Sequence, residues 1–252
     1  MLCFKNLVSL ATLSSTGTTA VNLTEAATLK RALKDGFCTF PAASDKTLRA
    51  VFAADQVVSV FAMLGAVCLD DISGYDPNFI SASTLVNKQL DQDLRARAHQ
   101  TENFVAVYDS AQTGDTFDLE LSATSSAVYT RQLWIGDGVR VKGHLSMQRS
   151  AQGGAEIVQI PSGATFVSTR PTWRKYSVAL SAVTDAQWGD AGGLMELESL
   201  GNGTEALFMP QGVSSDAARV GLLAIHGVVT NFSVQQLRRG LRAVTFDITE
   251  CR

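Results

Sequence analysis

The stretch Val57-Val58-Ser59-Val60-Phe61-Ala62-Met63-Leu64 is apolar at every position but Ser59. A short run of this kind, rich in β-branched residues, reads as a strand covered on both faces rather than a half-exposed one. Just upstream, Leu48, Ala50 and Phe52 alternate with Arg49 and Val51, so residues 48–52 read as a strand with one apolar side. Downstream, residues 104–108, 117–121, 128–134, 139–141, 156–160 and 165–168 are short segments of β-branched and aromatic residues. Turn signals such as Gly136-Asp137-Gly138 and Gly153-Gly154 separate several of them. Serial short strands with glycine turns favour a sandwich or barrel over an alternating α/β fold.

The C-terminal third continues the pattern. Tyr176, Val178 and Leu180 alternate with Lys175, Ser177 and Ser181, and Val244, Phe246 and Ile248 with Thr245, Asp247 and Thr249, which predicts half-buried strands over 173–181 and 241–249. Residues 206–209 and 220–229 read as further strands. Two stretches break the rhythm. Over 84–99, Val86, Leu90, Leu94 and Ala98 recur every fourth position among charged residues, which predicts a surface helix. A second helix is predicted from Thr184, its N-cap, to Gly201, weakened by Gly189, Gly192 and Gly193 at roughly 1 kcal/mol each relative to alanine. At the N-terminus, Leu7, Val8, Leu10, Ala11 and Leu13 are interrupted by Ser9 and Thr12, so they read as a first strand and loop rather than a secretory signal. The expectation is a mainly β protein: a β-sandwich over 1–169 and a smaller strand-helix-strand unit over 170–252, joined at Thr169-Arg170-Pro171-Thr172.

Composition narrows the function classes. Of 252 residues, 46% are hydrophobic and 18% charged, which argues for a folded chain rather than disorder. Lys and Arg number 21 against 24 Asp and Glu, leaving no basic surplus for a nucleic-acid partner. No stretch approaches the roughly 18 apolar residues of a helical membrane span. The cysteines Cys3, Cys38, Cys68 and Cys251 form no C-x-x-C pair, so neither a structural zinc site nor a disulfide framework is favoured over buried free thiols. Sequons begin at Asn22, Asn202 and Asn231 and read as chance matches in the absence of a secretory signal.

No catalytic set emerges. His99 lies in the charged helix, His144 between Gly143 and Leu145 beside a strand, and His226 in the apolar run 222–229, where a histidine is more often a core or interface residue than a base. No nucleophile elbow, metalloprotease helix or phosphate-binding loop is present. A non-enzymatic protein is therefore expected. Asp70, Asp71 and Asp76 surround Gly74 in a loop whose oxygens suit Ca²⁺, although a solvated turn explains the same residues and the spacing is not that of an EF-hand. Asp91, Asp93, Arg95 and Arg97 form an oligomer contact or, more simply, a solvated face. Tyr129, Trp134, Trp173, Tyr176 and Trp188 either fill the core or face a glycan, with Trp134, Trp173 and Trp188 the principal candidate contacts.

Asn6-Leu7-Val8, then Ala11-Thr12-Leu13-Ser14-Ser15, then Asp35-Gly36 and Thr39-Phe40, resemble the opening of discoidin-like or galactose-binding-like β-sandwiches. The first stretch lacks the family's tryptophan, which Phe37 or Phe40 would replace. This likeness implies a discoidin-like or jelly-roll sandwich. In overall character, with serial Ser-, Thr-, Ala- and Gly-rich strands and an interrupted helix after Thr184, the chain also resembles virion proteins of tailed bacteriophages. That resemblance implies a structural tail-tip, baseplate or other tail protein, assembled in the host cytoplasm and built from copies of itself and neighbouring virion proteins as a homo-oligomer. The alternative expectation is a carbohydrate-binding adsorption module that recognises host surface glycans, on a virion or in a secreted protein.

Overall fold

A computed structural model describes residues 1–16, 38–40, 46–68, 78–81, 86–89, 102–121, 128–140, 145–152, 155–159, 165–169, 173–189, 193–210 and 223–251. They belong to two compact units, one of Met1–Arg140 with Leu207–Ala224 and one of Val141–Ala206 with Ile225–Arg252. The first unit contains β1 (Leu2–Cys3), β2 (Thr12–Thr16), β3 (Cys38–Phe40), β4 (Lys46–Cys68), β5 (Asn78–Ser81), β6 (Val86–Gln89), β7 (Glu102–Leu121), β8 (Val128–Thr130) and β9 (Gln132–Gly136).

The two predicted strands at 48–52 and 57–64 are one 23-residue strand, and 104–108 and 117–121 are likewise joined in the 20-residue β7. The two long strands pair antiparallel along their length, with the register broken between Val51 and Gln56 and between Val58 and Val60. At these breaks the ribbon folds over itself. Its first half, with β4 residues 46–51 against β7 residues 116–121, carries β2 on one side and β5 and β6 on the other. Its second half pairs β4 residues 60–66 with the start of β7 and carries β9 on the free edge. Leu48, Ala50, Phe52, Phe79, Phe117 and Leu119 from the first half share one core cluster with Phe61, Met63, Phe104, Ala106, Leu133 and Ile135 from the second. Edge-to-face contacts of Phe52 with Phe117 and of Phe61 with Phe79 lie inside it, at centroid separations of 6.0 and 4.8 Å. This is a β-sandwich, as the strand pattern predicts.

The double burial inferred for 57–64 holds from Val58 to Leu64, Val57 being exposed, and has its cause in the second half. Val60, Ala62 and Leu64 point away from the sandwich core and join Met1, Cys3, Val105, Val107, Trp134, Leu207 and Met209 in a second cluster. Leu2 and Cys3 pair with Phe208 and Leu207 on that side.

Several local expectations are corrected. The strand expected from Leu7 begins only at Thr12, as β2; Leu7–Leu10 is a 3-10 turn because the Asn6 side chain accepts the Val8 amide and caps it. Residues 128–134 divide into β8 and β9 at Arg131, and of the expected strand 139–141 Val139 makes a bridge with Leu2 while Val141 lies outside the described residues. In the predicted helix 84–99, Val86–Gln89 is a strand paired with β5, so pairing overrides the four-residue periodicity there; the remainder lies outside the described residues.

The second unit contains β10 (Leu145–Gln152), β11 (Ala155–Gln159), β12 (Thr165–Thr169), β13 (Trp173–Thr184), α1 (Asp185–Gly189), α2 (Leu194–Leu200), the first two residues of β14 (Glu205–Phe208), β15 (Ile225–Arg238) and β16 (Leu241–Glu250). Its sheet runs β14-β15-β16-β13-β10, with β11 and β12 a separate hairpin. The division differs from the predicted one at 169/170, because β10 pairs with β13 from Leu145 opposite Leu180 to Gln152 opposite Trp173 and so draws the preceding strands into the C-terminal unit. The single predicted helix is two: Thr184 caps the first, its hydroxyl accepting the Gln187 amide, and Gly189 and Gly193 bound the break. Trp188, Leu194 and Leu197 are buried, as their apolar spacing requires. The β15–β16 hairpin closes at Arg239-Gly240, where Gly240 takes φ +79, a conformation that favours glycine. Among the described residues no helix is long and apolar enough to cross a membrane.

Candidate functional site

The strand period places Tyr176, Val178 and Leu180 of β13 inward with Val244, Phe246 and Ile248 of β16, all buried. Their alternates therefore share the other face: Trp173, Lys175 and Ser177 on β13, and Asp247 and Thr249 on β16. Register sets Lys175 opposite Thr249 and Ser177 opposite Asp247, with Ser150 and Gln148 of β10 on the far side. On β15 the register slips between Thr230 and Ser233. Asn231 occupies this bulge at φ +54, a conformation that asparagine tolerates better than most residues.

The bulge aims the Asn231 amide at Asp247. Asn231 Nδ2 donates to Asp247 Oδ2 at 2.7 Å, Ser177 Oγ donates to Oδ1 at 2.6 Å, and Lys175 Nζ lies 2.9 Å from Oδ2. Burial alone would raise the Asp247 carboxyl, but these three donors outweigh it and hold the group below its ordinary value. The carboxylate is therefore ionised at neutral pH, and in holding its three partners it fixes their positions. Trp173 stands half-buried at the start of the same face, about 13 Å along the strand from Ser177 at 3.3 Å per residue. An indole followed by an ammonium, a hydroxyl, an amide and a carboxylate is a set that can cover an apolar ring face and bond hydroxyls beside it.

The predicted aromatics divide. Trp134 is 1% exposed and its Nε1 donates to Cys3 Sγ at 3.1 Å, so its ring serves the core and not a glycan. Trp188 is 9% exposed, with the Arg242 guanidinium 5.2 Å from its ring centroid, and Tyr176 is fully buried. Trp188 and Tyr176 fall on the apolar side of their elements, and Trp134 lies on β9, every residue of which is buried. Trp173 alone of the three principal candidates keeps a surface position. The Tyr129 side chain, the candidate Ca²⁺ ligands Asp70, Asp71 and Asp76, the histidines His99 and His144, and Asp91, Asp93, Arg95 and Arg97 lie outside the described residues. Among the described residues no three His, Cys, Asp or Glu side chains group to hold a metal ion.

His226 is buried as expected, its Nε2 3.7 Å from Glu205 Oε2. Cys3 and Cys251 are free thiols. In the sequence Lys175, Ser177 and Asp247 read only as the polar halves of strands, and Asn231 only as the start of a sequon. The signal for them was Thr230-Asn231 interrupting the β-branched run that precedes Phe232, which marks a bulge.

No family model and no curated protein matches the chain. Solved structures similar to it include a module designated CpGH89CBM32-6 from Clostridium perfringens, 12% identical over 53% of this chain and 100% of that one, with a TM-score of 0.39. A fucolectin from striped bass serum is 9% identical over 98% and 93% of the two chains, with a TM-score of 0.38. Discoidin II from Dictyostelium discoideum is 7% identical over 96% and 91%, with a TM-score of 0.32. Likeness at these TM-scores carries no inference about what this chain binds, and neither it nor the fold bears on the expectation of a phage virion protein.

Proposed function

We propose that this chain is a non-catalytic carbohydrate-binding protein whose glycan lies along the face from Trp173 to Asp247. The observation that carries the reading is the Asp247 cluster: a carboxylate holding Lys175, Ser177 and Asn231 in place on the same strand face as a half-buried tryptophan. Fixed donors and acceptors lose little conformational freedom on binding, which is what recognition of a flexible, hydroxyl-rich ligand requires. Catalysis is a poorer use of the site, because Asp247 carries three donors and is held ionised, so it is placed neither to give a proton nor to take one. On a virion, such a module would serve in adsorption to host surface glycans, the role that the alternative sequence expectation describes.

The test is a glycan array probed with the full chain and with Trp173→Ala and Asp247→Ala. Retention of defined oligosaccharides is expected, weakened about tenfold, or ~1.4 kcal/mol, by each substitution. Surface ion pairs contribute only about 0–1 kcal/mol to stability, so the Asp247 variant stays folded and its loss is one of binding. An array silent with the unmodified chain, or binding indifferent to both substitutions, refutes the proposal.

A further inference from the structure

A different polar face lies on the first unit. The sandwich turns Leu48, Ala50 and Phe52 inward, which puts Arg49 and Val51 on the outer side of β4. Register sets Arg49 opposite Asp118 of β7 and Ser14 of β2, and Val51 opposite Thr12. Arg49 Nε donates to Asp118 Oδ1 at 2.8 Å and Nη2 to Oδ2 at 2.7 Å, a two-point clamp that fixes the guanidinium plane. Asp118 is buried beneath it while the Arg49 side chain is 41% exposed.

The clamp uses only the inner edge of the fork. The Nη1 hydrogens and the outer Nη2 hydrogen point away from Asp118, and among the described residues no other acceptor meets them. Asp118 also cancels the charge, so the outer edge presents two parallel donors without a net attraction for anions. Val51, 37% exposed, lies two positions along the same face, and the half-buried Ser14 flanks the guanidinium from β2.

From this arrangement we propose a further binding site, at Arg49, for the vicinal diol of a neutral sugar ring. The two diol oxygens accept from the outer edge of the guanidinium, and the ring's C–H face lies on Val51. The site stands on its own residues and does not depend on the Trp173 face.

The probe is methyl α-mannopyranoside, which carries a cis vicinal diol, titrated into the ¹⁵N-labelled full chain. Saturable shifts are expected at the Arg49 Nε–H and at the Ser14 and Val51 amides. Glycerol and acetate at equal concentration should leave them unmoved, the first lacking the ring and the second relying on charge that Asp118 has cancelled. Arg49→Lys, which keeps the charge but loses the fork, abolishes the shifts. Should that variant misfold, Ser14→Ala supplies the readout and weakens the affinity several-fold. Trp173→Ala leaves all of them intact, which separates this site from the other face. Absence of saturable shifts overturns the proposal, as does their survival at the Ser14 and Val51 amides in Arg49→Lys, an unchanged affinity in Ser14→Ala, or equal saturation by glycerol or acetate.

Discussion

Phe61 and Phe79 give a direct reading of whether the long ribbon folds over itself. Phe61 lies on the second half of β4, opposite Ile135 and Ala106, whereas Phe79 lies on β5, which pairs with the far half of β7 at Leu119. Their rings meet at 4.8 Å and 67° only because the two halves face each other. Replacing a buried phenylalanine with leucine keeps the site apolar and costs about 1–2 kcal/mol, less than the roughly 3–5 kcal/mol of truncation to alanine. The aromatic pair contributes a further ~0.5–1.5 kcal/mol beyond area burial, and either single substitution removes it. Phe61→Leu and Phe79→Leu together should therefore cost ~0.5–1.5 kcal/mol less than the sum of the separate losses. Urea unfolding of the four proteins at one pH measures the cycle. Additivity within about 0.3 kcal/mol, the behaviour of distant residues, would refute the folded ribbon.

Other expectations follow from single residues. Ala182 holds φ +63 at the register break in β13, where a side chain costs ~1–2 kcal/mol; Ala182→Gly should stabilise by about 0.5–1 kcal/mol after the glycine's entropy is counted, and a destabilised variant in thermal or urea unfolding would contradict this. Burial pushes the Cys3 thiol up to about 12 from an ordinary 9.0, so above pH 9 the unfolded chain loses a proton that the folded chain keeps, and stability falls as pH rises. Between pH 9 and 11 this group contributes a decline of roughly 1.4 kcal/mol per pH unit, and Cys3→Ala should show a pH slope shallower by that amount. The Asp247 carboxyl is held below its ordinary 3.8, so glycan binding should be flat from pH 5 to 8 and fail only on acidification past that value; a midpoint near neutrality would implicate another group.

The sandwich was legible because its inward residues follow a strict period of two, as in Leu48, Ala50 and Phe52, and because 57–64 is apolar on both faces. What the local pattern could not convey was continuity. Residues 53–56 and 109–115 are mostly small or polar, with only Gln112 and Gly114 buried among them, so they read as breaks, yet the backbone passes through them extended, with only its register disturbed. The expected helix at 84–99 shows the converse: a four-residue apolar recurrence also suits a strand, and β5 decides it for Val86–Gln89. For the site, composition pointed to tryptophans, but burial depends on which face a strand turns inward. That information lies in the pairing partners of Trp134 and not in its neighbours in sequence. Lys175, Ser177 and Asp247 converge across two strands, with Ser177 and Asp247 70 positions apart, and only register brings them together.

The indole N–H resonances provide the sharpest test of the glycan-binding face. In the ¹⁵N-labelled chain the three tryptophans give three separable signals, assigned by single replacement with phenylalanine. Titration with the oligosaccharide retained most strongly on the array should move the Trp173 signal saturably. The Trp134 signal, its N–H held by Cys3 Sγ in the core, and the Trp188 signal, its ring beneath Arg242, should stay in place. An oligosaccharide that binds without moving Trp173, or that moves Trp134 or Trp188 instead, would contradict the assignment of the binding face.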